Sequence, residues 1–461
     1  MSPRLERMVR RTQADARIPA LSVAVHQADR PLWTCQVGES DGETPLGAGS
    51  MFRVGSVTKT VTATLVMQCR DDGLLDLDDP IGKHLDVPAH RGLTVRGLLS
   101  HTAGLQREPY GDMWDSLKAP DIDQLLADLA NAERVVTGPP RYHYSTLSFA
   151  VLGHLVSELR GAPWADVLAE RILRPLGMTG TSLEPGPHAV TGYLVDAHSD
   201  LARPEPPIEL GAIGPASGLW STAGDMARWA AFLADPETVD PSGTVLAAST
   251  LDEMRWPMSV PDQTVWRAGF GLGVMVVPQE NRAMHLGHYG AMPGFWACVL
   301  GQRGGIDTPA GLGCAVLGSS GTAASVLGLA HRLLPAVVAE APAPIPVWRP
   351  GPAAPEPYRS VLGRWWGEGF EYVFSWRGGR LIARGADDPA DRPPAVFAPL
   401  PGTPDVLRTT SGREAGELLR LTRDPSGTVT RLHWATYRFT RAQETFDGVS
   451  FSAPCFEGEP S

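Results

Sequence analysis

Met51-Phe-Arg-Val-Gly-Ser-Val-Thr-Lys59 sets a serine and a lysine three residues apart, directly after a glycine. Beyond it Val57, Val61, Leu65 and Gln68 recur as one helical face until Gly73, so a helix is expected to open at Ser56. Residues three apart on a helix share a face, which places the Lys59 amine beside the Ser56 hydroxyl. The free N–H groups of a helix start add positive potential around that oxygen. A serine hydroxyl is a poor nucleophile until a base adjoins it, and a lysine becomes such a base when desolvation and nearby cations or dipoles lower its pKa. The same spacing also fits a capped helix with a surface lysine, so partners elsewhere in the chain decide.

Two stretches supply those partners. Pro140-Arg-Tyr-His-Tyr-Ser-Thr-Leu-Ser-Phe-Ala-Val-Leu-Gly153 puts Tyr144 at the start of an amphipathic helix, with Thr146 two residues on. A phenol near a lysine ammonium favours phenolate and can relay a proton between serine, lysine and leaving group, although a tyrosine there also serves plain packing. His285-Leu-Gly-His-Tyr-Gly-Ala-Met-Pro-Gly294 places His288 on an expected strand beside a Gly/Pro turn. There Gly290 and Ala291 can present a backbone N–H to a developing oxyanion, while His288 points into the same cleft. A zinc reading of His285 and His288 lacks a third ligand, so neither a metal nor a cofactor is expected. His101 reads as a loop brace and His143 as solvent-facing. Trp220 and Tyr193 are candidates for the cleft lining and equally for the core.

Composition narrows the partners. Of 461 residues 43% are hydrophobic and 20% charged, enough for one large domain and a smaller one. The balance of 40 Lys+Arg against 51 Asp+Glu gives a net charge of -11 without a basic tract, which argues against nucleic acid or an anionic membrane and for a small-molecule or peptide substrate. The start of the chain shows no secretion signal, no stretch approaches the length of a membrane span, and Cys35, Cys69, Cys298, Cys314 and Cys455 show no ligand spacing. A cytoplasmic location with free thiols is the expectation.

The chain organises into two domains. Ala20 to His26 and Pro31 to Val37 read as a strand pair, Ser56 to about Trp256 as mainly helical, and the segment after Trp266 as short antiparallel strands closed by a helix over Thr322 to Glu340. The fold class is therefore α+β, an antiparallel sheet flanked by helices with a helical lobe inserted, over residues 1–340. A Pro/Ala-rich linker occupies 341–357, and 358–461 read as a small antiparallel β-barrel, with hairpins at Phe370 to Arg384 and Glu417 to Thr440.

Taken in order, Ser-x-x-Lys at Ser56, the Tyr144 segment and His288-Tyr-Gly290 resemble the serine β-lactamase and penicillin-binding-protein superfamily, closest to its class C β-lactamase-like branch. Leu98-Leu-Ser-His-Thr-Ala-Gly-Leu105, Pro175-Leu-Gly-Met178, Pro215-Ala-Ser-Gly-Leu-Trp-Ser-Thr222 and Pro293-Gly-Phe295 extend the similarity. The resemblance implies Ser56 as the acylated nucleophile, Lys59 and Tyr144 as the acid/base pair, His288 at the family's Lys/His position, and an oxyanion hole from the N–H groups of Ser56 and Ala291. Thr146 departs from the family's Asn: its hydroxyl can still hold Lys59, but the amide that contacts a substrate carbonyl is missing. Within the superfamily the chain looks like the penicillin-binding-protein-type thioesterases, which implies a C-terminal lipocalin-like domain and release of a peptidyl thioester by head-to-tail macrolactamisation of a nonribosomal peptide. A cytoplasmic esterase, D-aminopeptidase or β-lactamase-like hydrolase is the rival expectation, and a ligand-sensing pseudoenzyme the non-enzymatic one.

Overall fold

The computed structural model describes residues 3–450, so Cys455 lies outside the described residues. The chain divides into two compact units, Met1–Ile345 and Pro346–Ser461.

In the first unit seven antiparallel strands form one sheet: β1 (Ala20–Gln27), β2 (Arg30–Gly38), β3 (Gly269–Phe270), β4 (Met275–Pro278), β5 (Ala283–Met292), β6 (Phe295–Gly304) and β7 (Gly313–Gly318), in the order β2-β1-β7-β6-β5-β4-β3. Strands from both ends of the unit thus meet, β1 against β7, and the intervening 200-odd residues form the helical lobe. The central strands read as unbroken apolar runs because both faces are covered. On β7, Ala315 and Leu317 join the core shared with the helical lobe, while Cys314 and Val316 join the core under the terminal helices α1 (Pro3–Asp15) and α5 (Ser325–Glu340).

The helix that follows Ser56 departs from its sequence reading. Gly55–Val57 form a 3₁₀ turn and α2 runs from Thr58 to Asp71, buried on every face from Thr58 to Cys69 rather than along one stripe. Its threonines sit in the core because each hydroxyl finds a partner. Thr60 accepts from the Trp229 indole at 2.7 Å, Thr62 donates to Pro215 O at 2.6 Å and Thr64 donates to Thr60 O at 2.9 Å. Helices α3 (Thr146–Arg160) and α4 (Ala223–Ala234) complete the frame, α4 lying across β7, β6 and β1.

Residues 341–355 carry no helix or strand, and in the second unit eight strands, β8 (Gly363–Gly367), β9 (Phe370–Arg377), β10 (Arg380–Gly385), β11 (Ala395–Leu400), β12 (Thr403–Ser411), β13 (Leu418–Arg423), β14 (Val429–Trp434) and β15 (Tyr437–Thr440), close into an antiparallel barrel by pairing β8 with β15. An eight-stranded barrel has room for little beyond its own side chains. Trp365, Tyr372, Phe374, Phe397, Trp434 and Phe439 pack together as that core.

Candidate active site

Ser56 sits at the mouth of α2 because the chain turns sharply before it. Gly55 adopts φ +52°, and a Cβ there would stand 2.8 Å from Ala291 N, so the strand end of β5 lies directly on the turn that holds the serine. Lys59, one turn on, is wholly buried, and its Nζ donates to Ala216 O at 3.0 Å and meets Ser56 Oγ at 3.0 Å. With no charged group hydrogen-bonded to it among the described residues, burial lowers its pKa to about 7; the Glu108 carboxylate works against that shift and Arg107 with it. As a free amine bound to the Ala216 carbonyl through one N–H, Lys59 can turn its lone pair to the Ser56 hydroxyl.

Tyr144 closes the other side. Its ring lies 5.0 Å from Lys59 Nζ, and its phenol meets the Ser56 hydroxyl. The phenolate expected from the sequence is corrected here. Burial raises the Tyr144 pKa well above that of a free phenol, beyond what the Ser56 contact offsets, and the adjacent lysine, with a pKa of about 7, carries only part of a charge near pH 7, so the group stays a phenol. Tyr144 is held by its loop: His101, at φ +57°, accepts from Ser145 N through Nδ1 at 3.2 Å, takes His143 N on its carbonyl at 2.7 Å and packs 4.4 Å from the Tyr144 ring. His143 itself is half-buried rather than solvent-facing, since that backbone bond holds its segment down.

A cavity of about 480 Å³ is lined by Ser56, Tyr144, Thr146 and Ala291 together with Arg107 and Glu108. A larger one of about 770 Å³, bounded by Tyr142, Met258 and Trp266, contains none of the catalytic candidates. His288 is not among the residues lining the first cavity; its ring lies 6.0 Å from Tyr144 and 5.8 Å from Phe270. Its Nδ1 bonds Tyr289 O, its Nε2 has no partner among the described residues, and burial holds its pKa near 4, so it is neutral. Gly290 faces the same way: a Cβ there would stand 1.9 Å from Val54 O and 3.3 Å from Ser56 N. His285, three residues before His288 on the strand, faces the opposite side and bonds His331 Nδ1 at 2.7 Å, which rules out a shared metal for the two.

Trp220 and Tyr193 are not among the residues lining the cavity around Ser56. Trp220 pairs with Arg53, whose guanidinium covers its indole at 4.8 Å, and Tyr193 is buried in a strand pair with Pro204, so both serve packing. Thr146 lines the cavity, but its hydroxyl donates to Glu108 Oε1 at 3.2 Å rather than holding Lys59, whose two hydrogen bonds go to Ser56 and Ala216. Glu108 escaped the sequence reading. The strand-free segment before it is tied to α3 by Thr146 N to Arg107 O at 2.7 Å and Ser145 Oγ to Gln106 O at 2.8 Å, which carries the carboxylate to the cavity from a distant part of the sequence. A glutamate placed just after Leu98-Leu-Ser-His-Thr-Ala-Gly-Leu105 was the available signal.

The Beta-lactamase family model matches residues 5–332, most of the unit that holds this constellation. The chain belongs to the Beta-lactamase family. That family is one of serine hydrolases, and the barrel is matched separately, over 354–441, by a domain of unknown function, DUF7586. Among Beta-lactamase relatives, protein Rv1367c of Mycobacterium tuberculosis (strain ATCC 25618 / H37Rv) is 31% identical over 56% of this chain and 76% of its own length. The unguisins hydrolase ungD' of Aspergillus campestris (strain IBT 28561) is 29% identical over 59% of this chain and 55% of its own. The crystal structure of SurE shares the fold across 95% of this chain and 98% of its own, with TM-score 0.60 and 23% identity.

Two expectations follow for a Beta-lactamase family site built this way. Turnover should rise with pH through about 7 and then level, because Lys59 accepts a proton only as the free amine and is protonated below that pH. A pH profile of kcat/KM with a non-titrating ester checks it, and a profile flat from pH 5 to 9 removes Lys59 as the base. Thr146→Asn should preserve acylation, since an amide can still donate to Glu108, yet shift the ratio of amide to ester substrates by about tenfold by adding a new polar contact to the cavity. Relative rates that stay the same across a substrate panel would show that Thr146 selects nothing.

Proposed function

We propose that the chain is a serine acyl-enzyme that takes the acyl group of a peptidyl or aminoacyl ester, thioester or amide and passes it to water or to an amine. The observation that carries this reading is the 3.0 Å contact between Ser56 Oγ and a wholly buried Lys59 whose pKa lies near 7. In the acylation step the Ser56 oxygen bonds to the carbonyl carbon while its proton moves to Lys59. The N–H groups of Ser56 and Ala291, brought together by the seating of β5 on the Gly55 turn, take the developing oxyanion. As the tetrahedral intermediate collapses, the Tyr144 phenol gives its proton to the leaving group and is reprotonated from Lys59. His288, neutral and with its ring 6.0 Å from that of Tyr144, backs the phenol by packing. The second half repeats these steps with the incoming nucleophile.

Release divides this reading. Hydrolysis is supported by the family's hydrolases, among them a relative named for hydrolysing unguisins. Head-to-tail macrolactamisation, with a lipocalin-like role for the barrel, rests on the resemblance in sequence alone. The test offers a linear peptidyl thioester ending in a D-residue, a simple ester and D-amino-acid amides, and separates products by mass. Linear acids place the chain with the hydrolases, and a cyclic product with the cyclases. Rates for every substrate equal to those of Ser56→Ala would leave the pseudoenzyme.

A further inference from the structure

The cavity of about 770 Å³ shares no lining residue with the one around Ser56. Its Tyr142 wall packs 5.1 Å from the Phe270 ring and 5.9 Å from that of His101, and these rings stand 6.4 Å and 4.4 Å from Tyr144. A layer of packed rings thus links this wall to the catalytic tyrosine. The loop opposite is held by its own bonds. Met258 N and Ser259 N donate to Phe270 O at 2.7 and 3.0 Å, and Phe270 N donates back to Ser259 O at 2.8 Å. The Asp262 carboxylate accepts from Thr264 N at 2.8 Å and from Val265 N at 3.1 Å, which fixes the turn that carries Trp266. The Trp266 indole N–H is engaged by Gln263 O at 2.8 Å, yet the residue is 74% exposed, so it offers the cavity an open aromatic surface rather than a hydrogen bond. Met258 and Val260 add apolar wall. Arg141 is the one charged side chain that lines the cavity, and it has no hydrogen bond or ion pair among the described residues. A large apolar space with a fixed aromatic plate and an unpaired guanidinium has the make-up of a small-molecule site.

We propose that this cavity is a second, non-catalytic binding site for a small aromatic carboxylate, whose ring covers the Trp266 indole and whose anion meets Arg141. The sign of the ligand follows from the wall: Arg141 pairs with a carboxylate, repels a cation and gains nothing from a neutral group. Its aromatic character follows from Trp266, since an offset-stacked ring covers a flat indole face better than an alkyl chain does. The proposal goes beyond the acyl-enzyme reading and does not depend on it, because neither Ser56, Lys59 nor Tyr144 lines this cavity.

Binding is measured in Ser56→Ala, so that no ligand is turned over. Calorimetry at pH 7 compares 2-naphthylacetate, indole-3-acetate and 3-phenylpropanoate with their primary amides, which lack the charge, and with cyclohexylacetate, which lacks the aromatic ring. At least one aromatic acid should bind about tenfold tighter than its amide, the scale of a charge-assisted contact. Adding Arg141→Ala should bring that acid down to the affinity of the amide. Adding Trp266→Ala should weaken acid and amide alike by about tenfold and remove the preference over cyclohexylacetate. Both side chains are exposed, and thermal unfolding confirms that the variants fold. In the chain that retains Ser56, each of the two substitutions should leave kcat and KM for a simple activated ester within about twofold, and saturating acid should leave KM unchanged. Failure of all three acids to bind overturns the site, and so does a preference for acid over amide that survives Arg141→Ala. An acid that raises KM competitively and still binds in Trp266→Ala sits in the cavity around Ser56, which also overturns it. Binding through Arg141 and Trp266 without any turnover would keep this site and defeat the acyl-enzyme reading; turnover without such binding would do the reverse.

Discussion

Ser56→Ala is expected to lower turnover by about 10⁴-fold or more while leaving the melting temperature unchanged, because a methyl group offers no nucleophile and only a half-exposed hydroxyl is removed. Lys59→Met should cost nearly as much: it keeps the volume of a wholly buried side chain but removes the lone pair that takes the serine proton. Since one residue activates the other, the double variant should be no slower than the worse single variant. Steady-state rates for the three proteins on one activated ester check this. Additive losses would mean that the 3.0 Å contact between Lys59 and Ser56 is a structural bond rather than a catalytic one.

Gly290→Ala should be the most damaging substitution outside the reacting groups. A Cβ at 290 would fall 1.9 Å from Val54 O, and since Val54 O belongs to backbone the strand must move away from the turn that carries Ser56. A shift near 1 Å in the pairing of nucleophile and oxyanion donors is expected to lower kcat/KM by about 100-fold, at a cost of about 1–3 kcal/mol in stability. Gly92→Ala, where an added Cβ meets nothing within 4 Å, is the control. Activity in Gly290→Ala close to the parent would show that β5 does not need to seat on the Gly55 turn.

Much of the fold was legible because each element's sequence pattern agrees with its surroundings. The apolar runs after Trp266 became β3 to β7 within a few residues, and the Ala341 to Pro357 stretch carries no regular structure before Glu356. The spacing of Ser56 and Lys59 translated directly into a hydrogen bond, since helical geometry alone brings residues three apart together. What stayed hidden depends on contacts distant in sequence. The full burial of α2 needs Trp229 and Pro215 to satisfy Thr60 and Thr62, so its one-sided pattern understated it. The charge state of Tyr144 could not be read from a lysine nearby, because the burial that neutralises the lysine also penalises a phenolate. Glu108 reaches the cavity through bonds that tie its segment to α3, among them Thr146 N to Arg107 O and Ser145 Oγ to Gln106 O, and no local periodicity marks it.

The central claim is that Ser56 is an activated nucleophile. Exposure of the protein to a fluorophosphonate at pH 8, above the pKa of about 7 for Lys59, followed by intact-mass measurement and peptide mapping, tests it most directly. One adduct per chain on the peptide containing Ser56, absent from Ser56→Ala and forming more slowly at pH 5, is the predicted result. No adduct at either pH, or labelling that persists in Ser56→Ala, would contradict it.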